Sequence, residues 1–194
     1  MKQSDLQSDL SVQLREDTAL NVPPFGADSI RIARDSGSKA TSFLLQEVKD
    51  GGSTAFLALE ALREADPVAY SALPARKRAE VYVNALKSSI FYNAWGLPGY
   101  QLTPTAHAVI SLGDDAVRAL KPLLGDLRPA PLSGSQDATT SSMYGNRVCD
   151  YAWVFINEIE DQPYVYSQDP AERDRAIAVL LQKLQGDIRR DEAE

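Results

Sequence analysis

The sequence predicts an all-α fold of short antiparallel helix pairs. Apolar residues recur at three- and four-residue spacing through most of the chain. Helix starts recur as Ser, Asp-Pro or Thr-Pro, and helix stops as Gly-containing breaks. Alternation of apolar and polar residues is brief everywhere, and PYVYS at 163–167 is the one strand candidate. The spacing of starts and stops predicts about seven or eight helices of two to five turns.

Residues 1–27 carry Leu6, Leu10 and Leu14 at i, i+4 and i+8, which permits a short amphipathic helix. Polar flanks and Pro23-Pro24 predict a loosely ordered segment. A single helical domain is expected over 28–186, followed by a charged tail at 187–194. Asp28 is placed to cap a helix with Ile30, Ile32 and Ala33, and Ser38 a second with Phe43, Leu44, Leu45 and Val48, which Gly51 ends. Ser53 starts a third, with Phe56, Leu57, Leu59, Ala61 and Leu62. Asp66-Pro67 ends it and opens a short helical turn, since proline is pre-organised for the first helical position.

Pro74 opens a helix expected over 75–94, stopped by Gly96-Leu97-Pro98-Gly99. Thr103-Pro104 starts a helix that Gly113 ends. Asp114 or Asp115 caps the next, burying Val117, Leu120, Leu123 and Leu124. Residues 127–146 are polar and non-periodic, and connections of that length are usually functional or disordered. The helix over 147–159 is apolar on most of its circumference and is therefore expected to be central. Residues 162–168 read as extended. Asp169-Pro170-Ala171-Glu172 is a capping-box sequence for a last helix with Ala176, Ile177, Val179, Leu180, Leu181 and Leu184.

Composition narrows the function classes. The chain has 194 residues, 44% hydrophobic and 24% charged, as in globular domains with a substantial core. Its net charge of −7 disfavours nucleic acid or anionic membrane as the main partner, because both attract cationic surfaces. From Glu158 to Glu194 there are ten acidic and five basic residues, so most of the net charge is C-terminal. Cys149 is the only cysteine, so the chain forms no internal disulfide and no thiolate cluster. No apolar run reaches the length of a membrane span, and MKQSDLQSDL lacks the apolar core of a signal peptide. A cytoplasmic location is expected, although a chain trimmed of its leader would read the same.

Leu120, Pro122, Leu123, Leu124 and Asp126, followed by Arg147, Val148, Ala152 and Ile156, resemble the helix ends of HEAT-like repeats. The preceding TAHAVISLGDDAVRAL resembles a junction between such units. The likeness covers about 103–160 and, loosely, 38–94. It implies an α-solenoid-like right-handed stack, in which each helix pair buries its apolar face on its neighbours. It also implies structural hydrogen bonding by an aspartate and an arginine at positions such as Asp126 and Arg147. The departure is the connection between them, twenty residues where about two to eight are usual.

Candidate chemistry is sparse. His107, the only histidine, has no G-x-S-x-G serine to serve. Cys149, inside an apolar helix, reads as a small hydrophobe. Arg147, Asp150 and Asn157 are the polar positions of the 147–159 helix, and Arg147 can pair with Asp150 three residues on. They either line a polar groove or anchor the return of the long connection. Arg76-Lys77-Arg78 opposes its helix dipole by about 0.3–1 kcal/mol per charge, so an anionic partner or an acid such as Glu80 is expected to compensate. Phe91, Tyr92, Trp95 and Tyr100 crowd the Gly96–Gly99 turn, either as a recognition pocket or as turn packing. In the long connection, Arg128, Asp137, Met143 and Tyr144 are the candidate contacts. No pattern for a metal, phosphate or organic cofactor is present, and none is expected.

These readings predict a non-enzymatic protein-interaction module, either adaptor-like or an acidic immunity or antitoxin-like protein capping a basic partner. The competing expectation is a hydrolase or transferase with carboxylate chemistry at Asp150, which requires a second carboxylate or general acid within reach in a cleft.

Overall fold

The computed structural model describes residues 3–88, 93–130 and 144–191. Helices dominate these residues, as the patterning requires. The chain divides into two compact units, Met1–Ala94 and Trp95–Glu194.

In the first unit α1 (Gln3–Ala19), α2 (Asp28–Ser36), α3 (Thr41–Asp50), α4 (Ala55–Ala65), α5 (Pro67–Ala72) and α6 (Ala75–Ser88) follow one another. α4 is the hub, touching α2, α3, α5 and α6. Every residue from Ala55 to Leu62 is buried, so α4 needs apolar neighbours around most of its circumference. The helix expected over 75–94 is helical to Ser88, and Asn93 turns at a φ of 56°.

The N-terminal segment departs from expectation. Within it α1 runs for 17 residues from Gln3 and buries Leu6, Leu10 and Leu14. Burying each leucine contributes about 1.5–3 kcal/mol. Asp17, itself buried, adds a polar tie, since its Oδ2 accepts the Ser29 N–H at 2.8 Å. That puts a carboxylate on the positive end of α2, the place expected for Asp28. Asp28 instead pairs with Arg31 at 2.8 Å.

Buried Glu60 on α4 accepts from Arg63 Nη2 at 2.9 Å and from the Tyr82 hydroxyl at 2.6 Å. The Tyr70 and Tyr82 hydroxyls meet at 3.2 Å, and Arg78 lies over the Tyr70 ring at 4.8 Å. Burial and the Glu60 carboxylate push the Tyr82 phenol well above its ordinary range. A charge in an apolar hub requires such partners. Arg76 pairs with Glu80 at 3.2 Å, the acidic compensation expected from sequence.

The second unit opens on a small hairpin, β1 (Gly96–Leu97) and β2 (Gln101–Leu102), around Pro98-Gly99. Tyr100 N–H donates to Leu97 C=O at 3.0 Å, and Gly99 takes a φ of 74°, as proline then glycine favour in a type II turn. The strand candidate 163–167 lies in no strand. After the hairpin come α7 (Pro104–Ile110), α8 (Asp114–Leu120), a 3-10 segment (Lys121–Gly125), α9 (Val148–Ile159) and α10 (Pro170–Asp191). α9 is this unit's hub, buried from Val148 to Asn157 and touching α7, α8, the 3-10 segment and α10. Ahead of α8, Gly113 takes the cap position, and Asp114 and Asp115 fall in the first turn.

On α10 the buried stripe is Arg173, Ile177, Leu180 and Leu184, whereas Val179 is 67% exposed. The start of α10 modifies the expected capping box. Asp169 Oδ1 accepts the Ala171 N–H at 2.9 Å, but Ser167 stands where Glu172 would close the box. The Ser167 hydroxyl accepts the Asp169 N–H at 3.1 Å and donates to Glu172 at 2.6 Å. Among the described residues no helix is long and apolar enough to cross a membrane.

Candidate functional site

The long connection leaves and returns along adjacent backbone. Cys149 N–H donates to Asp126 C=O, Val148 N–H to Arg128 C=O, and Ala130 N–H to Asn146 C=O, each at 3.0 Å. The side chains of Asp126 and Arg147 take other partners. Asp126 accepts from Arg128 Nε at 2.9 Å, and Arg147 turns to Asp150 and Asp174.

Asp150 is the centre of a buried ionic clamp. As the third residue of α9 its carboxylate accepts the Arg147 N–H at 2.8 Å, while Arg147 Nη2 reaches Asp150 Oδ1 at 2.9 Å and Asp174 at 2.8 Å. The hydrogen bond from Arg147 to Asp150 raises the Arg147 pKa above its ordinary value. Arg173, from α10, completes the clamp. Its Nε lies 3.0 Å from Asp150 Oδ1, but the N–H is not aimed along that line, so the contact is an ion pair rather than a hydrogen bond. Its Nη1 donates to Ser167 C=O at 2.8 Å and its Nη2 to Tyr144 C=O at 2.7 Å. One guanidinium therefore ties together α10, α9, the strap between them and the returning limb of the connection.

A row of five aromatic rings lies beside this clamp. Tyr100, 75% exposed, meets Tyr144 edge to face at 6.4 Å, and Tyr144 meets Tyr166 at 6.0 Å. The row continues from Tyr166 to Trp153 at 6.1 Å and from Trp153 to Tyr164 at 5.3 Å. Arg173 lies 5.2 Å from the Tyr166 ring centre, joining row and clamp. Gly99 bounds the row closely: a Cβ there would stand 2.2 Å from the Tyr166 Cβ.

Tyr164 and Tyr166 also line a groove of about 500 Å³, with Gly99, Asn157, Glu158 and Asp161 among its other walls. The Tyr164 hydroxyl donates to Glu158 at 2.6 Å. Burial, then this carboxylate, raises the Tyr164 pKa, and burial raises that of Tyr166. Asn157 is only 7% exposed and its amide donates to Trp153 C=O at 2.8 Å.

The sequence-predicted residues divide accordingly. Arg147 and Asp150 come together in the clamp. Tyr100 and Tyr144 come together in the aromatic row. Arg128 holds Asp126 where the connection leaves the core. Trp95 is 6% exposed and packs on Phe155 at 6.1 Å. Tyr92, Asp137 and Met143 lie outside the described residues. His107 is exposed, and Cys149 is buried with burial pushing its thiol up to about 12. Arg173, Asp174, Trp153, Tyr164 and Tyr166 were not expected. For Arg173 a signal existed, since it shares the four- and three-residue register of Ile177, Leu180 and Leu184. Among the described residues no three His, Cys, Asp or Glu side chains gather as a metal site.

Comparison with protein-family models, curated proteins and solved structures finds no match to this chain.

Proposed function

We propose that the protein is a non-enzymatic protein-interaction module, built in the manner of HEAT-like repeats from short helix pairs, with its partner surface on the second unit. The observation that carries this reading is the aromatic row, which runs from exposed Tyr100 to Tyr164 and is backed by the buried Arg173 clamp. Tyrosine offers large, amphipathic contact area with little side-chain entropy to lose, and a rigid backing avoids reordering on binding. Arg128 and Tyr144, at the two limbs of the long connection, extend the surface. The acidic character of the chain favours a basic partner, as for an adaptor or an antitoxin-like protein.

Asp150 favours the same reading over carboxylate catalysis. Its side chain is fully buried and held by Arg147 and Arg173, and the second carboxylate, Asp174, reaches it only through Arg147. A general base must approach its proton to within hydrogen-bond distance, and a buried carboxylate engaged by two arginines is poorly suited to that.

Affinity capture from the native cell with the wild-type chain and with the Tyr100→Ala/Tyr144→Ala variant tests the reading. A specific protein recovered with the wild type and at least tenfold depleted with the variant supports it. An unchanged set of captured proteins overturns it.

A further inference from the structure

We propose that the strap at 163–167 is an unpaired edge strand, to which an extended, basic segment of the partner protein adds as a second strand. This rests on the interaction-module reading and names the form of the partner.

Pro163-Tyr164-Val165-Tyr166-Ser167 has high strand propensity, because aromatic and β-branched side chains suit a pleated, half-buried surface. Among the described residues no strand pairs with it, yet it keeps a strand's alternation. Tyr164 and Tyr166 both turn onto the Trp153 ring, at 5.3 and 6.1 Å, while Val165 between them is 89% exposed. Side chains two apart share a face in an extended chain. The two rings anchor the strap, so its backbone is held in place before a partner arrives.

The polar groups of that backbone have no partner among the described residues. The N–H groups of Tyr164, Val165 and Tyr166 donate to nothing, and their C=O groups accept nothing. At the next residue the pattern changes, since Ser167 C=O accepts from Arg173 Nη1 at 2.8 Å. Along a pleated chain the N–H and C=O of one residue point to one edge, and those of the next residue to the other. The Arg173 contact therefore turns the edge of Val165 and Ser167 toward α10 and leaves the edge of Tyr164 and Tyr166 for another strand. Two donors and two acceptors in register on that edge are what one added strand satisfies.

Room and charge define the occupant. The groove of about 500 Å³ runs against Tyr164 and Tyr166, and its walls carry Glu158 and Asp161 but no lysine or arginine. These exposed carboxylates do not create the site. They select among strands that the backbone alone accepts equally, favouring a segment with Lys or Arg beside its pairing residues and repelling an acidic one. A second copy of this chain is disfavoured on the same ground, since it brings the same carboxylates and a net charge of −7.

The test is an amide-resolved titration of the isotopically labelled full chain with acetyl-Lys-Val-Thr-Val-Lys-amide, with its acidic counterpart carrying Glu for Lys, and with a fully N-methylated form that has no backbone donors. The basic peptide is expected to give saturable shifts, to move the Tyr164 and Tyr166 amide protons downfield, and to slow their solvent exchange at least about tenfold. The acidic and methylated peptides are expected to do none of these. Semisynthesis that replaces Tyr166 by its α-hydroxy acid swaps the N–H for an ester oxygen and keeps the ring. That loss is expected to weaken the basic peptide about threefold to tenfold, as for one net hydrogen bond, with the spectrum elsewhere unchanged. No saturable shift, equal binding of the methylated peptide, or an ester that binds like the wild type would overturn the proposal. Protection of the two amides that grows with protein concentration alone identifies a second copy as the occupant and also overturns it. Affinity capture separates the two readings. Glu158→Gln/Asp161→Asn, in which asparagine suits the positive φ of 49° at position 161, is expected to deplete the partner. Partner loss with Tyr100→Ala/Tyr144→Ala but undiminished capture by this charge variant removes the basic strand and leaves the module. Peptide pairing at 164 and 166 without any captured protein that depends on Tyr100 and Tyr144 removes the module reading and leaves the strand edge.

Discussion

The guanidinium of Arg173 and the carboxylate of Asp150 meet at 3.0 Å with neither side chain exposed to solvent. That pair holds the first turn of α9, the start of α10 and the strap that carries Tyr164 and Tyr166 in one arrangement. Arg173→Met leaves Asp150 with one cation fewer and removes the donors to the Tyr144 and Ser167 carbonyls. Breaking a buried pair on one side costs about 3–5 kcal/mol. Both tryptophans, Trp95 and Trp153, belong to the second unit, so tryptophan fluorescence during urea unfolding reports that unit. The fluorescence midpoint is expected to fall accordingly in Arg173→Met. Asp174→Asn, at the half-exposed end of the clamp, is expected to cost under about 1 kcal/mol.

The first unit has its own buried charge. Tyr82→Phe removes the 2.6 Å hydrogen bond to Glu60 while leaving the ring in place. Hydrogen bonds to charged groups contribute about 1.5–3 kcal/mol. Circular dichroism, which follows helices of both units, is expected to show an earlier helical loss in this variant. An unchanged unfolding curve would contradict the role assigned to Glu60.

Much of this architecture was legible in the sequence, and the reasons for the rest are physical. Asp66-Pro67, Thr103-Pro104 and Gly51 act locally, and each marks a helix boundary as expected. The helix at 147–159 is central because its apolar circumference admits no other place. Asp17, Glu60 and Arg173 were missed because their partners lie far away in sequence or in another element. Periodicity shows that Arg173 falls on the buried stripe of α10, but not which carboxylate waits there. α1 was underestimated for a related reason: Leu6, Leu10 and Leu14 form a narrow stripe whose value depends on the surface receiving it. Within the site, Tyr100, Tyr144, Arg147 and Asp150 were recognisable as polar or aromatic groups near breaks. Tyr164 and Tyr166 were hidden in an extended segment without periodicity.

Cys149 provides a chemical probe of the clamp. Its thiol is buried beside Asp150, and burial, reinforced by that carboxylate, pushes its pKa up to about 12 from 9.0. The thiolate fraction at pH 8 then falls by about a thousandfold, and occlusion slows attack further. Iodoacetamide labelling of the native chain is expected to be at least that much slower than labelling in urea. Arg173→Met is expected to accelerate it by opening the same region.

The same shift fixes the sign of an alkaline transition. Cys149, Tyr164 and Tyr166 all have folded pKa values above their unfolded ones, so between those values the folded state holds more protons. Their contribution is complete below about pH 9 and is lost as pH rises toward 12 and beyond, at up to about 1.4 kcal/mol per pH unit for the thiol. The Tm by tryptophan fluorescence is expected to fall between pH 9 and 11, and to fall less in Cys149→Ala.

Gly99→Ala tests how the turn is seated against the row. A Cβ at position 99 collides with Tyr166, and the φ of 74° disfavours any L side chain. Overpacking of this kind costs about 1–3 kcal/mol. A lower fluorescence midpoint and shifted ring resonances of Tyr166 are expected.

The proposal that the second unit works through the surface around Tyr100 is tested most directly by photo-crosslinking. A benzophenone amino acid replaces Tyr100 or, as a control on the first unit, the 81% exposed Val68. The account predicts that illumination in the native cell links position 100 to one recurring protein, and that position 68 does not give that adduct. No adduct at position 100, or the same yield from both positions, would contradict it.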